Sequence, residues 1–302
     1  MNIIITGADG FVGTNLCIKL KKTRHRLLLI GKDIHKLQEI SNNPQDCYNY
    51  EDLAQLQMKD LFESFMPESF IHLAAYSTAS DEYADMELLI NANISYLAKV
   101  LDALKNTGLK TFIYTGSFAE FYKGDSVFDP AYLYTATKTA GRSIVKYYSE
   151  TYNFKFLSIC PYTVYGGIDT SKKIIDFLYD SLGDVSPTDI TSGEQILDFI
   201  HVFDLANLYI TVVEENNKVP NGSIFYAGTG TGHTLKDLVD FLEKESGLKT
   251  NLNWGGRNYR KRDVMYAVAD ITLQKDLFKW KPRISLEQGV KLYLSTKFMN
   301  KS

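Results

Sequence analysis

The chain has 302 residues, 45% of them hydrophobic, enough to bury a large core in one body or in two unequal lobes. A net charge of −3 with dispersed signs excludes a general affinity for nucleic acid or for an anionic membrane surface. No apolar run approaches the roughly 18 residues that span a bilayer, and Cys17, Cys47 and Cys160 fit no metal-ligand spacing.

The first residues carry the strongest pattern. Residues 2–5 are a short uncharged run that suits a strand buried on both faces. It ends in Thr6-Gly7-Ala8-Asp9-Gly10-Phe11-Val12-Gly13, with glycines three apart. Gly7 permits a tight turn, Gly10 lets the backbone approach a pyrophosphate, and Gly13 allows close helix–strand packing. The amides of the following helix N-terminus would hold the diphosphate. An ordinary βα turn has similar glycines, but the place after an apolar strand and before the helical pattern Phe11, Leu16, Leu20 favours nucleotide binding.

Further strands are expected at 26–30, 69–73, 110–115 and 154–160, with amphipathic helices at 11–23, 52–65, 85–107 and 131–153 between them. This alternation predicts an α/β fold built on a doubly wound parallel sheet. Residues 1–160 read as a dinucleotide-binding domain. Beyond Pro161 come short apolar segments (196–203, 223–227, 252–254), helices and glycine loops, so 161–302 read as a smaller mixed α/β lobe with some segments returning to the main sheet. Thr234 with Asp237, and Ser285 with Gln288, have capping-box spacing. Apolar settings for the cysteines and a start directly on a strand, without a visible signal peptide, predict a cytoplasmic protein.

The second strong signal is Tyr134-Thr135-Ala136-Thr137-Lys138. Residues four apart share a helix face, so the ammonium can stand near the phenol. A nearby cation would lower the tyrosine pKa and make it a proton donor or acceptor near neutrality. Alone, the same spacing suits an exposed surface pair.

With this pair downstream of the glycine turn, the chain resembles the extended short-chain dehydrogenase/reductase family, the nucleotide-sugar epimerases, dehydratases and reductases. The glycine turn is similar to that family's TGxxGFxG. His72-Leu73-Ala74-Ala75 resembles its cofactor-lining segment after the fourth strand, and Asn93 falls in a helix similar to the one that follows. Tyr134 and Lys138 match its catalytic pair. Segments 197–202, 280–282 and 285–287 also resemble family segments, so the match covers nearly the whole chain.

The resemblance implies a Rossmann fold and hydride transfer between a nicotinamide and a sugar carbon, with Tyr134 handling the alcohol proton and Lys138 holding the nicotinamide ribose. It implies a hydroxyl at the end of the fifth strand for the reacting oxygen. Ser117 is chosen, with Thr115 as a substitute or as ribose support. Cofactor contacts are expected at Gly7, Asp9, Gly10, Phe11, Val12, Gly13, Asp52, Leu53, Leu73, Ala74, Ala75, Asn93, Thr115 and Pro161. Two long helices, 85–107 and 131–153, are those that family members use to form a homodimer.

Cofactor choice is read at the end of the second strand, where a carboxylate takes the ribose 2′-OH of NAD. Here Gly31 stands at that place and Lys32 follows, which predicts NADP(H), with Lys32 paired to the 2′-phosphate. Asp33 taking the ribose would restore NAD(H). Family dehydratases carry Asp-Glu after the strand-5 hydroxyl. This chain has Phe118-Ala119 there, with Glu120 out of step, which argues against dehydration. What remains is reduction of a 4-keto group on a nucleotide-linked 6-deoxy sugar, similar to sugar 4-ketoreductases of the CDP-abequose synthase type. A nucleotide-sugar 4-epimerase using NAD is the alternative. A non-catalytic cofactor-sensing protein is a third, opposed by the intact Tyr134/Lys138.

For the nucleotide-diphosphate sugar, Arg257, Arg260, Lys261 and Arg262 form the densest cationic cluster, and arginine suits bidentate diphosphate recognition. Lys172 and Lys173 are weaker candidates. Ser77, Thr78, Ser117 and Phe118 are expected beside the sugar. His72 and His201 are expected to pack structurally, and no metal site is expected.

Overall fold

The computed structural model describes residues 1–80, 82–123, 127–168 and 172–299, the last with side chains to 297. The strands are β1 (Asn2–Thr6), β2 (Arg26–Gly31), β3 (Cys47–Asn49), β4 (Ser69–His72), β5 (Thr111–Thr115), β6 (Lys155–Pro161), β7 (Thr163–Tyr165), β8 (Thr188–Ile190), β9 (Ile196–His201), β10 (Ile224–Ala227), β11 (Gly232–Thr234), β12 (Leu252–Trp254) and β13 (Tyr266–Ala267). The helices are α1 (Phe11–Leu20), α2 (Ile34–Ile40), α3 (Gln55–Phe65), α4 (Tyr83–Ile90), α5 (Tyr96–Ala103), α6 (Leu133–Tyr152), α7 (Ile174–Asp180), α8 (Val202–Glu214), α9 (Leu235–Ser246), α10 (Thr272–Phe278) and α11 (Leu286–Met299).

Seven parallel strands form the main sheet in the order β10-β6-β5-β4-β1-β2-β3. Ile3, Ile4 and Ile5 are fully buried because helices cover both faces. Ile3 and Ile5 pack with α1 and α8, whereas Ile4 packs with α3, α5 and α6. Strand order reverses beside β1, and such a switch point opens a crevice at the carboxyl ends of the strands. The second lobe has its own core around Phe199, Leu238, Leu242 and Val290.

Several sequence boundaries move. The helix read over 85–107 is α4 and α5 joined by a π turn over Asn91–Ser95. The apolar segment 196–203 is two elements, because the His201 ring accepts the Phe203 amide at 3.2 Å and caps α8. Elements β3 and α2 are too short for periodicity to reveal. Both anticipated capping boxes form, at Thr234/Asp237 and Ser285/Gln288.

The glycine turn is held by close backbone approach. Gly7 has φ +68°, and a Cβ on it would lie 2.6 Å from the Ala74 nitrogen. A Cβ on Gly13 would overlap the Gly7 carbonyl oxygen. Gly13→Ala is expected to lower stability by about 1–3 kcal/mol through overpacking, read from the urea midpoint. An unchanged midpoint would contradict this packing.

Candidate active site

The ends of β1, β2, β4 and β5 and the helices α1 and α6 assemble the site. Gly10 starts α1 with no side-chain cap, and among the described residues nothing accepts from the amides of Phe11, Val12 and Gly13. Free amides and absent side chains make a cradle that fits a dinucleotide diphosphate.

After β4 the chain runs through Leu73, Ala74 and Ala75 beside this turn. Asn93 pins the segment: its Oδ1 accepts the Tyr76 amide at 2.9 Å, and its Nδ2 donates to the Tyr76 carbonyl at 3.0 Å and to Thr137 Oγ1 at 2.9 Å. The buried amide is thus engaged with protein partners, and Asn93 ties the segment after β4 to α6. The π turn lets it reach both Tyr76 and α6, a placement such bulges often serve.

The Thr115 hydroxyl is bonded to the Tyr209 hydroxyl at 2.7 Å. Ser117 remains. Its Oγ accepts the Ala119 amide at 3.3 Å, and among the described residues nothing accepts from its O–H. Phe118 stacks on Tyr162 at 5.4 Å, forming an apolar wall with Tyr122 and Tyr132.

On α6, Tyr134 and Lys138 meet Glu120 and Arg142. The Glu120 side chain is fully buried and receives the Ser117 amide at 2.8 Å, Thr139 Oγ1 at 3.2 Å and Arg142 Nη2 at 3.1 Å. Arg142 also donates to Ser158 Oγ at 2.5 Å and to Cys160 Sγ at 3.4 Å. The Lys138 ammonium lies 4.6 Å from the centre of the Tyr114 ring, and the Tyr114 hydroxyl donates to the Lys138 carbonyl at 2.9 Å.

Lys138 was expected to pull the Tyr134 pKa down. Instead burial, and then the Glu120 charge, push the phenol up to about 12, against a smaller opposing hydrogen bond from Ser77. Burial lowers Lys138 itself to about 8. Ser77 therefore stands at the phenol. His72 stacks between Phe112 and Tyr114, bonded to Thr6 Oγ1 at 2.9 Å, and burial keeps its ring neutral, near a pKa of about 3.

The end of β2 departs most from the sequence reading. The carboxylate missing at Gly31 is present, supplied by the glycine turn. Asp9 Oδ2 accepts the amides of Lys32 at 2.7 Å and Asp33 at 2.8 Å, and a Cβ on Gly31 would overlap Asp9 Oδ1. The Asp33 carboxylate caps α2 through the Lys36 amide at 3.1 Å. The Lys32 ammonium lies 5.7 Å from the Tyr50 ring centre. Asp52 is exposed and Leu53 half-buried just beyond β3.

On the other side of the crevice, Arg262 is tied to Asp129 and stacks on Tyr122, and Arg260 lies 5.8 Å from the Tyr132 ring. Arg257 is exposed. Lys172 pairs with Asp180 at 2.6 Å, and Lys173 stands 5.2 Å from the Phe11 ring of the glycine turn. No group of three or more His, Cys, Asp or Glu able to hold a metal occurs among the described residues. Among them, too, no helix is long and apolar enough to cross a membrane.

Sequence reasoning missed the Glu120–Arg142 pair. Its signal was present, since Arg142 follows Lys138 by four residues and so extends the Tyr134/Lys138 face. Removing one partner of a buried ion pair leaves an uncompensated charge. Arg142→Ala is therefore expected to cost about 3–5 kcal/mol, measured by denaturant unfolding. A loss below about 1 kcal/mol, the range of exposed pairs, would show that the pair is solvated.

The chain is similar to known proteins. A CDP-abequose synthase from Salmonella typhimurium is 30% identical over 296 residues, 95% of each chain. A CDP-abequose synthase from Yersinia pseudotuberculosis is 27% identical, covering 92% of this chain and 97% of its own. A UDP-glucuronic acid 4-epimerase from Bacillus cereus, solved with UDP-glucuronic acid and NAD, superposes with a TM-score of 0.87 at 21% identity, over 99% of this chain and 100% of that one. With residues 3–228 matching its description, the chain belongs to the NAD dependent epimerase/dehydratase family.

Proposed function

We propose that this chain reduces the keto group at carbon 4 of a nucleotide-linked 6-deoxy sugar. The observation that carries the reading is the phenol of Tyr134 held in its protonated form beside the buried Glu120 carboxylate. A phenol pushed up to about 12 keeps its proton at neutral pH, so it is set to donate to a carbonyl oxygen, the direction of a reduction. When bound, the reduced nicotinamide supplies the hydride. Ser117 directs its unspent O–H to the developing oxyanion, a contact that strengthens as charge grows. Dehydration lacks an acid at Phe118 and Ala119, and Glu120 is turned inward to Arg142.

The likeness to two CDP-abequose synthases supports a nucleotide-linked sugar as substrate, and Arg257 and Arg260 are the arginines proposed for its diphosphate. Lys32 suggested NADP(H) from the sequence, but the Asp9 carboxylate beside the end of β2 favours NAD(H) as the dinucleotide. It also supports a second reading, a 4-epimerase that oxidises carbon 4 and returns the hydride. Three buried unpaired cysteines accord with a cytosolic enzyme. Tyr83, Met86, Leu88 and Ile90 leave α4 with an exposed apolar face, and Tyr147 does the same on α6, which supports a homodimer through these helices. Leu88→Glu is expected to halve the mass in solution by light scattering; an unchanged mass would move the interface elsewhere.

The decisive assay follows reduced-nicotinamide oxidation across a panel of nucleotide-linked 4-keto sugars. One sugar should turn over, and Tyr134→Phe should lose ~10²–10⁴-fold in kcat while still binding the dinucleotide. Interconversion of two epimers with no net oxidation would replace the reductase reading with the epimerase. With the active sugar, the rate is expected to fall above pH about 8, where Lys138 loses its proton, well before Tyr134 ionises. A rate still level far above that pH would remove Lys138 from the step.

A further inference from the structure

In a doubly wound sheet, a dinucleotide whose diphosphate lies on the first glycine turn sets its adenosine ribose at the end of the second strand. Here that place is built by Asp9, which the main chain reaches before β2 is made. Its Oδ2 takes the Lys32 and Asp33 amides at 2.7 and 2.8 Å, and among the described residues nothing donates to Oδ1. Gly31 is required by this arrangement, because any side chain there would occupy the space of the Asp9 carboxylate. The neighbouring cations are turned to other partners. Lys36 Nζ donates to the Asp9 carbonyl at 2.7 Å, and Lys32 stands over Tyr50. The Asp33 carboxylate is spent on the α2 cap.

We propose that Asp9 is the residue that selects the dinucleotide, accepting the ribose hydroxyls of NAD(H) on Oδ1 and rejecting the 2′-phosphate of NADP(H). Two physical reasons act together. A phosphate would meet a fixed carboxylate of like charge. The two backbone amides that could have bound it are already taken by Oδ2. The ribose hydroxyls of NAD(H) carry no charge and can donate to an ionised carboxylate, which is an acceptor only. The selection reverses the assignment that Lys32 suggested. It rests on the dinucleotide reading of the glycine turn, not on the identity of the sugar or the direction of the reaction.

The test is direct binding, with no sugar present, by the fluorescence of NADH and NADPH titrated onto the intact chain. The unmodified protein is expected to bind NADH at least tenfold more tightly than NADPH. Asp9→Ser frees both amides and should move that ratio at least tenfold toward NADPH. Asp9→Asn keeps an oxygen for the amides but removes the charge, so a smaller shift in the same direction is expected, and this variant guards against misfolding of the first. Lys32→Ala should leave the ratio within twofold. A preference for NADPH in the unmodified protein, an unmoved ratio in both Asp9 variants, or a tenfold loss of NADPH binding in Lys32→Ala would each overturn the proposal. Failure to bind either dinucleotide would overturn it together with the cradle. A chain that selects NADH but reduces no sugar would leave the proposal standing and sink the reductase reading alone.

Discussion

The site depends on how closely the glycine turn approaches the chain after β4. Gly7 lies against the Ala74 nitrogen and Gly13 against the Gly7 carbonyl, with no room for a methyl group at either. Backbone contact without side chains is what draws β1, α1 and the segment after β4 to one point at the sheet's switch. Because interiors are close-packed, this contact fixes where the free amides at the start of α1 stand relative to Ser77 and Tyr134. Asn93 holds the far end of the same segment, through both hydrogen-bonding groups of Tyr76.

Behind the reacting face, the Glu120–Arg142 pair plays two parts. It orders the turn after β5, since Glu120 receives the Ser117 amide and Arg142 reaches across to Ser158 on β6. It also sets charge. The buried carboxylate opposes ionisation of Tyr134 and favours the charged form of Lys138, so both groups keep their protons to higher pH than burial alone would allow. A buried pair of this kind is weak evidence for stability, because desolvation offsets its attraction. Its effect here is to place one negative charge beside Tyr134 and Lys138.

The large elements were legible because their signals are local. An apolar strand, a glycine turn and a four-residue Tyr–Lys spacing can each be read within a window of a dozen residues. What escaped depends on directions that only the folded chain defines. Glu120 looked out of step by sequence count, yet the short helical turn at Phe118–Glu120 brings its carboxylate back to the Ser117 amide. Gly31 carries no acid itself, yet Asp9 enters from another strand end and sets a carboxylate beside it, which no local window of sequence shows. Thr115 and Ser117 are two residues apart, and only the Tyr209 hydroxyl decides that the former faces α8. The basic cluster at 257–262 was legible as composition, but Arg262 is committed to Asp129.

Strand β10 closes the main sheet beside β6, with Ile224–Ala227 aligned to Ser158–Pro161. Some sixty residues of the second lobe separate the two strands in the chain. During synthesis, β6 therefore emerges with its outer row of amides and carbonyls unpaired, a template for the wrong partner. The parallel ladder cannot be completed by a hairpin, and such distant pairing is slow to form. The main sheet thus waits for the ribosome to make nearly half of the second lobe, and the exposed edge in that interval is open to aggregation and to rescue by chaperones.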